Sequence, residues 1–402
     1  MGLKRLPICL LLWFAGAVAA APAVESWVTP NGAKVMFVAA PDLPMVDVRV
    51  VFDAGSARDG VTPGLASFAN ALLDQGAGEW SADAIAERLE DHGVEIGNGS
   101  MRDMAWYSVR SLTEPAALRV ALDTLATVLA EPRFAAPEVE RVRQQMQIAV
   151  RQSLQSPREV ADRLFYRNLY GSHPYAHDPS GDQESLERID REMLRTFHER
   201  YYVAANAVVA IVGAVDRHQA ERIAEQVVRA LPRGGAAEPL PAVPDPAEVK
   251  VRETFPSSQS HIFLGQRGMA RHDPDYFPLY VGNHVLGGSG LVSILGEEVR
   301  NKRGLSYSVY SYFAPMRTDG PFLMGAQTKN TQVDQAMAVM RETLARFIAE
   351  GPGEDELEAA KRNIVGGFPL RIASNAKIVE YIAMMGFYNY PLDWLDTLVG
   401  KV

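Results

Sequence analysis

The sequence predicts an α+β fold made of two homologous αβ sandwich modules, each a mostly antiparallel sheet with helices on one face. Three observations carry this. Strand-like and helix-like stretches recur in the same order in both halves, a Pro/Gly/Ala-rich break separates them, and 402 residues exceed one ordinary core. The break reads Pro232-Arg233-Gly234-Gly235-Ala236-Ala237-Glu238-Pro239-Leu240-Pro241-Ala242-Val243-Pro244-Asp245-Pro246, a composition that disfavours helix and sheet alike. It sets an N-terminal module at 24–232, a linker at 233–247 and a C-terminal module at 248–402.

In the first module, Val46-Asp47-Val48-Arg49-Val50-Val51-Phe52 alternates like a strand. Residues 64–75 then place Leu65, Phe68, Ala69, Leu72 and Leu73 at helical spacing. Ser81 is an N-cap for a helix carrying Ile85 and Leu89 that ends before Gly93. Residues 94–100 and 104–112 read as paired strands. Helices follow at 116–129, 137–154 and 193–202, and Ala207-Val208-Val209-Ala210-Ile211-Val212-Gly213 is a buried strand.

The second module predicts a strand at 260–265, a helix at 275–285, a glycine-rich turn and a helix at 291–302. Strands at 307–313 and 320–328 come next, then helices at 331–350 and 353–366. Nothing after Trp394-Leu395-Asp396-Thr397-Leu398 matches the closing helix and strand of the first module. That reads as a C-terminal truncation of roughly 40 residues, or as a sheet that a partner completes.

The N-terminus has the pattern of an export leader over residues 1–20. Lys4 and Arg5 precede an apolar run from Leu6 to Ala15, and Ala17-Val18-Ala19 is an A-x-A cleavage site. Cys9, the single cysteine, leaves with that leader, so neither disulfides nor thiolate metal sites are available. A cysteine-free exported chain of this kind is expected in a periplasm. No later apolar run is long enough for a membrane span. The net charge of −9 excludes a broad basic surface and argues against nucleic acid as a partner.

Asp53-Ala54-Gly55-Ser56 and Gly64-Leu65-Ala66-Ser67-Phe68-Ala69-Asn70-Ala71-Leu72-Leu73 resemble the opening helix of the insulinase-like peptidases, which include pitrilysin and the mitochondrial processing peptidase. In active members the helix carries His-x-x-Glu-His: two histidines bind zinc and the glutamate polarises the attacking water. Those places here hold Ser67, Asn70 and Ala71, none a ligand or base of that kind. The window of the family's third ligand, a glutamate, holds Met146, Gln147 and Ile148. The resemblance therefore implies a chain without its own zinc.

In the second module Leu286-Gly287-Gly288-Ser289-Gly290-Leu291-Val292-Ser293 resembles the family's glycine-rich turn, and residues 297–309 resemble the segment after it. The resemblance implies that Gly287, Gly288, Ser289 and Gly290 approach substrate. It also implies that Arg300 and Tyr307 bind the peptide backbone and stabilise a tetrahedral intermediate. Read by itself, Arg300 ends a helix where a cation is favourable, Gly304 breaks it, and Tyr307 opens a strand. The bland alternative is a basic helix end followed by a strand aromatic. A phosphate cradle is disfavoured by the missing Lys-Ser/Thr of a P-loop, against backbone approach to a peptide or plain helix entry. His173-Pro174-Tyr175-Ala176-His177 is a weak rival metal motif, since Pro174 keeps both imidazoles off one helical face.

The expectation is a substrate-binding subunit of a two-chain zinc metallopeptidase acting on unfolded peptides. It would hold no cofactor, be inactive alone, and work with a homologous subunit bearing intact His-x-x-Glu-His and zinc. The alternative is a non-enzymatic scaffold or peptide-binding protein of the same fold.

Overall fold

The computed structural model describes residues 23–402, so the leader expected at 1–20 lies outside the described residues. The first half is a six-stranded sheet of β1 (Glu25–Val28), β2 (Lys34–Ala39), β3 (Met45–Phe52), β4 (Glu95–Ser100), β5 (Ala105–Leu112) and β6 (Ala207–Gly213). Its order is β1-β2-β6-β3-β5-β4; β6 is parallel to β2 and every other pairing is antiparallel. All seven residues of β6 are buried, which is why that segment is a continuous apolar run rather than an alternation.

The helices of this half are α1 (Leu65–Ala71), α2 (Ala82–Glu90), α3 (Pro115–Ala130), α4 (Ala136–Ser153), α5 (Pro157–Tyr170), α6 (Gln183–Arg188), α7 (Arg191–Tyr201) and α8 (Arg217–Val228). Local chemistry sets their starts. Ser81 Oγ accepts from the Ala84 amide and caps α2, and Ser156 caps α5 with Pro157 in its first turn. Asp216 and Gln219 form a capping box on α8. The sequence reading did not include α5 or α8.

Residues 232–258 form neither helix nor strand. The second half is a three-stranded antiparallel sheet of β7 (Gln259–Arg267), β8 (Ser306–Phe313) and β9 (Pro321–Lys329), in the order β7-β9-β8. Its helices are α9 (Tyr276–Asn283), α10 (Val333–Glu350), α11 (Glu354–Arg371), α12 (Asn375–Tyr388) and α13 (Trp394–Lys401). The continuous helix expected at 291–302 is instead a 3-10 turn at Gly290–Val292 and a wide, π-type turn at Gly296–Asn301. Glycine is the cause: a Cβ on Gly296 would come within 2.7 Å of the Gly290 carbonyl, so the turn folds back onto the segment. α12 and α13 were also unanticipated.

Each half lends a helix to the other's sheet. α12 lies on the face of the first sheet opposite α3 and α8, setting Ile378, Ile382 and Met385 against Met36, Val208 and Ala210. Gly386 permits this approach, since a Cβ there would stand 2.5 Å from Val208 Cγ1. In return α5 packs on β7, where Phe165 meets Phe263 edge-to-face with centroids 6.2 Å apart. At the junction, buried Asp103 accepts from Tyr175 Oη, from Tyr388 Oη at 2.7 Å and from the Arg317 amide at 2.8 Å. Among the described residues no helix is long and apolar enough to cross a membrane.

Candidate functional site

Arg300 and Tyr307 come together. Arg300 ends the wide turn and Tyr307 lies at the start of β8, with the guanidinium carbon 4.7 Å from the ring centroid. Tyr307 is 83% exposed, so its phenol faces solvent. Among the described residues neither side chain has a hydrogen-bond or ion-pair partner within the chain. Both donors are therefore free for a ligand.

The reason Arg300 has no carboxylate lies two residues earlier. Glu298 is buried and takes Arg303 at 2.6 Å, Lys302 at 3.0 Å and Arg346 from α10 at 3.0 Å. These hydrogen bonds, Arg303 foremost, hold its carboxyl down at about 2, so it is ionised throughout the physiological range. Glu298 thus satisfies three neighbouring cations and fixes the turn to α10, leaving Arg300 as the uncommitted one. The sequence reading gave Glu298 no role; its (i, i+4) spacing to Lys302 was the available signal.

The glycine turn is shaped by close packing. Gly287 is buried, and a Cβ there would stand 2.4 Å from Ser311 Oγ. Gly288 abuts Asn283, whose amide donates to the Ser311 carbonyl while Ser311 Oγ donates to Asn283 Oδ1. Gly290 has φ +65°, a left-handed conformation that favours glycine. Gly288 and Gly290 are exposed and Ser289 half-buried, and the next residues, Leu291 and Val292, carry their side chains into solvent. The turn packs on β8, the strand that carries Tyr307.

On α1 the three zinc-motif positions are occupied by other work. Ser67 Oγ donates to the Pro179 carbonyl at 2.6 Å. Asn70 is buried and donates its amide to the Trp106 carbonyl and to Tyr202 Oη, each at 3.3 Å. Ala71 packs on the core, as does Met146, while Ile148 points outward and the Gln147 carbonyl accepts from Gln183. These residues do not fit zinc: the atoms offered are a hydroxyl, an amide and a methyl, two of them already spent on backbone carbonyls. A cavity of about 480 Å³ between the turn after α1, α2, β4 and α4 includes Asp74, Asp83 and Glu138 in its lining. Nowhere among the described residues do three His, Cys, Asp or Glu side chains converge as a metal site.

The two histidines of the rival motif have separate partners. His173 Nδ1 caps the Tyr175 amide and Nε2 meets the Pro241 carbonyl at 3.0 Å, while burial lowers its pKa. His177 Nε2 sits 3.0 Å from the Ser56 carbonyl and 3.3 Å from buried Asp59.

Known proteins place this geometry. Residues 34–181 match the family described as Insulinase (Peptidase family M16), and residues 188–364 match the Peptidase M16 inactive domain. An uncharacterised zinc protease of Mycobacterium tuberculosis is 30% identical over 369 residues, covering 89% of this chain and 82% of the relative. The chain belongs to the insulinase family. The crystal structure of a peptidase M16 inactive domain from Pseudomonas fluorescens is 40% identical, with a TM-score of 0.91 over 94% of this chain and 90% of that one. An insulinase-family relative from Helicobacter pylori, named a non-peptidase homologue, is 26% identical over 90% of this chain and 83% of its own length. The family resemblance read from α1 and the glycine turn is thus shown, and α1 is the helix on which that resemblance expects the zinc motif.

Proposed function

We propose that this chain is the zinc-free, substrate-binding subunit of a two-chain periplasmic zinc metallopeptidase that acts on unfolded peptides. The observation that carries the reading is the Arg300–Tyr307 pair: a half-buried guanidinium over an exposed phenol, both unpartnered among the described residues, at the start of the strand against which the glycine turn packs. Two such donors suit a peptide carbonyl and the oxyanion it becomes on hydrolysis. The catalytic zinc belongs to a homologous partner with intact His-x-x-Glu-His, because Ser67, Asn70 and Ala71 supply neither ligand nor base. In the assembly Arg300 and Tyr307 reach toward that zinc, and Gly288, Ser289 and Gly290 line the approach of the peptide backbone, with Gly287, buried against Ser311, shaping the turn behind them.

The test is reconstitution. Purified chain should carry no stoichiometric zinc by elemental analysis and cleave no unfolded peptide alone. Mixing with a zinc-bearing paralogue should produce cleavage, and Tyr307→Phe should lower its kcat by roughly 10²–10³-fold. Full activity of the Tyr307→Phe mixture sinks the role given to that residue.

A second reading, a non-enzymatic scaffold or peptide-binding protein, is favoured by the name of the Helicobacter relative. It predicts peptide binding that is indifferent to Arg300 and Tyr307, and no gain of activity on mixing.

A further inference from the structure

Among the described residues Tyr307 is the one member of β8 with no residue opposite it on β9. From Phe313↔Phe322 back to Ser308↔Gln327 the two strands pair one residue against one. The next pair is Ser306↔Thr328, so β8 advances two residues where β9 advances one. Tyr307 is the extra residue of a β-bulge.

The shift decides which side chain is buried. Side chains alternate between the faces of a strand, so a slip of one residue exchanges them. Val309, opposite Ala326, points into the core shared with α10. In unbroken register Tyr307 would lie opposite Thr328 and point the same way. Ser306 takes that place instead and is buried, while Tyr307 stands out in solvent. β4 ends the run β3-β5-β4 as β8 ends β7-β9-β8, and it pairs with β5 residue for residue from Glu95↔Arg110 to Ser100↔Ala105. The bulge thus belongs to the strand that carries Tyr307, not to the module in general.

A bulge breaks the ladder locally, so its backbone has to be held by other groups. Two buried hydroxyls hold this one. Ser306 Oγ lies 2.6 Å from the Ser308 carbonyl and 2.7 Å from the Gln327 carbonyl, and so spans the extra residue. Thr328 Oγ1 donates to the Leu305 carbonyl at 2.5 Å. The Leu305 amide in turn donates to the Val299 carbonyl, and the Gly304 amide to the Arg300 carbonyl, each at 2.9 Å. Thr328 therefore ties β9 to the turn that carries Arg300, and Ser306 fixes the residue that faces it.

We propose that Ser306 and Thr328 are positioning residues whose hydroxyls hold the bulge that turns Tyr307 out of the core and onto Arg300. Resting on the function proposed above, they thereby set the phenol that meets the substrate oxyanion. Removing either hydroxyl leaves a buried carbonyl without its donor and loosens the bulge, while the rest of the ladder stays paired.

The first test uses the chain alone and needs neither partner nor activity. Tyr307 is replaced by 3-fluorotyrosine, and its fluorine resonance should move when Arg300→Ala removes the guanidinium 4.7 Å from the ring. Thr328→Val keeps the shape but loses the hydroxyl; it should broaden or split the resonance and make it indifferent to Arg300→Ala. Thr328→Ser keeps the hydroxyl, and it should behave as the parent does. Ser306→Ala repeats the comparison at the other hydroxyl, and it carries the test if a circular dichroism melt shows Thr328→Val unfolded.

The second test uses the reconstituted two-chain assembly. Thr328→Val should lower kcat roughly 10- to 10²-fold with KM nearly unchanged, and Thr328→Ser should recover it. In a Tyr307→Phe background Thr328→Val should cost no more than about twofold, because it acts through the phenol. A resonance that stays sharp and still answers Arg300→Ala in the hydroxyl-free variants overturns the proposal. So does a Thr328→Ser chain that fails as Thr328→Val does, since packing rather than the hydroxyl would then matter. An undiminished loss in the Tyr307→Phe background overturns it too, because the effect would run through another group. If even the parent assembly cleaves nothing, the catalytic clause falls with the function proposed above, and the fluorine result still decides how Tyr307 is held.

Discussion

Arg346 of α10 reaches Glu298 at 3.0 Å, and this contact ties the segment carrying Arg300 to the helix layer. Because Lys302 and Arg303 share the same carboxylate, one buried acid absorbs the local positive charge and Arg300 alone is left to act outward. Glu298→Gln should therefore cost about 2 kcal/mol at neutral pH, less than a fully buried network because its cations are partly exposed. The pH dependence has a definite sign. Glu298 titrates low in the folded chain, so its contribution is complete above its ordinary value of 4.5 and fades as pH falls toward about 2. Chemical denaturation across that window should show the parent losing stability while the Glu298→Gln variant stays flatter.

Arg300 and Tyr307 should behave as one unit. Arg300→Ala should leave the melting temperature nearly unchanged, a shift worth less than about 1 kcal/mol, because the guanidinium makes no ion pair within the chain. In a reconstituted two-chain assembly it should cost roughly 10²–10³-fold in kcat/KM. Combined with Tyr307→Phe the loss should fall short of the sum of the two, since the side chains are stacked. Steady-state kinetics on the four assemblies measures this; strict additivity would mean the two act separately.

Asn70 is needed as a donor. Asn70→Asp preserves shape but turns a carboxylate toward the Trp106 carbonyl. Burial raises the pKa of such a group, so the variant should be near normal in acid and lose stability as pH rises through the ordinary carboxylate range and beyond. A deficit of about 2–4 kcal/mol by pH 7 is expected from urea melts. Simple reinstatement of the family's glutamate at this position should be destabilising for the same reason.

Tyr388→Phe removes the phenol that joins α12 to Asp103 between β4 and β5. Its 2.7 Å bond to a buried carboxylate should be worth about 2 kcal/mol, visible as a lower melting temperature in calorimetry. The transition should remain single, because α5 and α12 each bridge the halves.

What could be read in the sequence follows how local each signal is. α1, the Ser81 cap, the β4–β5 pair and the buried β6 all declare themselves through periodicity or a cap within a few residues. Ser156-Pro157 and Asp216 with Gln219 are equally local signals, for α5 and α8. α12 was hidden for a physical reason: it lies between layers, so its apolar residues surround it and no single stripe marks its face. The helix expected at 291–302 failed because Gly296 answers to the Gly290 carbonyl rather than to helix periodicity. At the site, Arg300 and Tyr307 were recognisable by resemblance, whereas the part played by Glu298 required knowing that Arg346 comes back to it from α10.

The loan of α12 has a consequence for how the molecule comes into being. As the chain leaves the ribosome, the first sheet can close the face carrying α3 and α8, while Met36, Val208 and Ala210 stay bare. They remain so until residues 375–388 emerge, well over a hundred residues after β6. Between the emergence of β6 and that of α12 the nascent chain therefore displays an unfinished apolar wall, which makes it a client for holding factors and delays its commitment to the native state until α12 arrives.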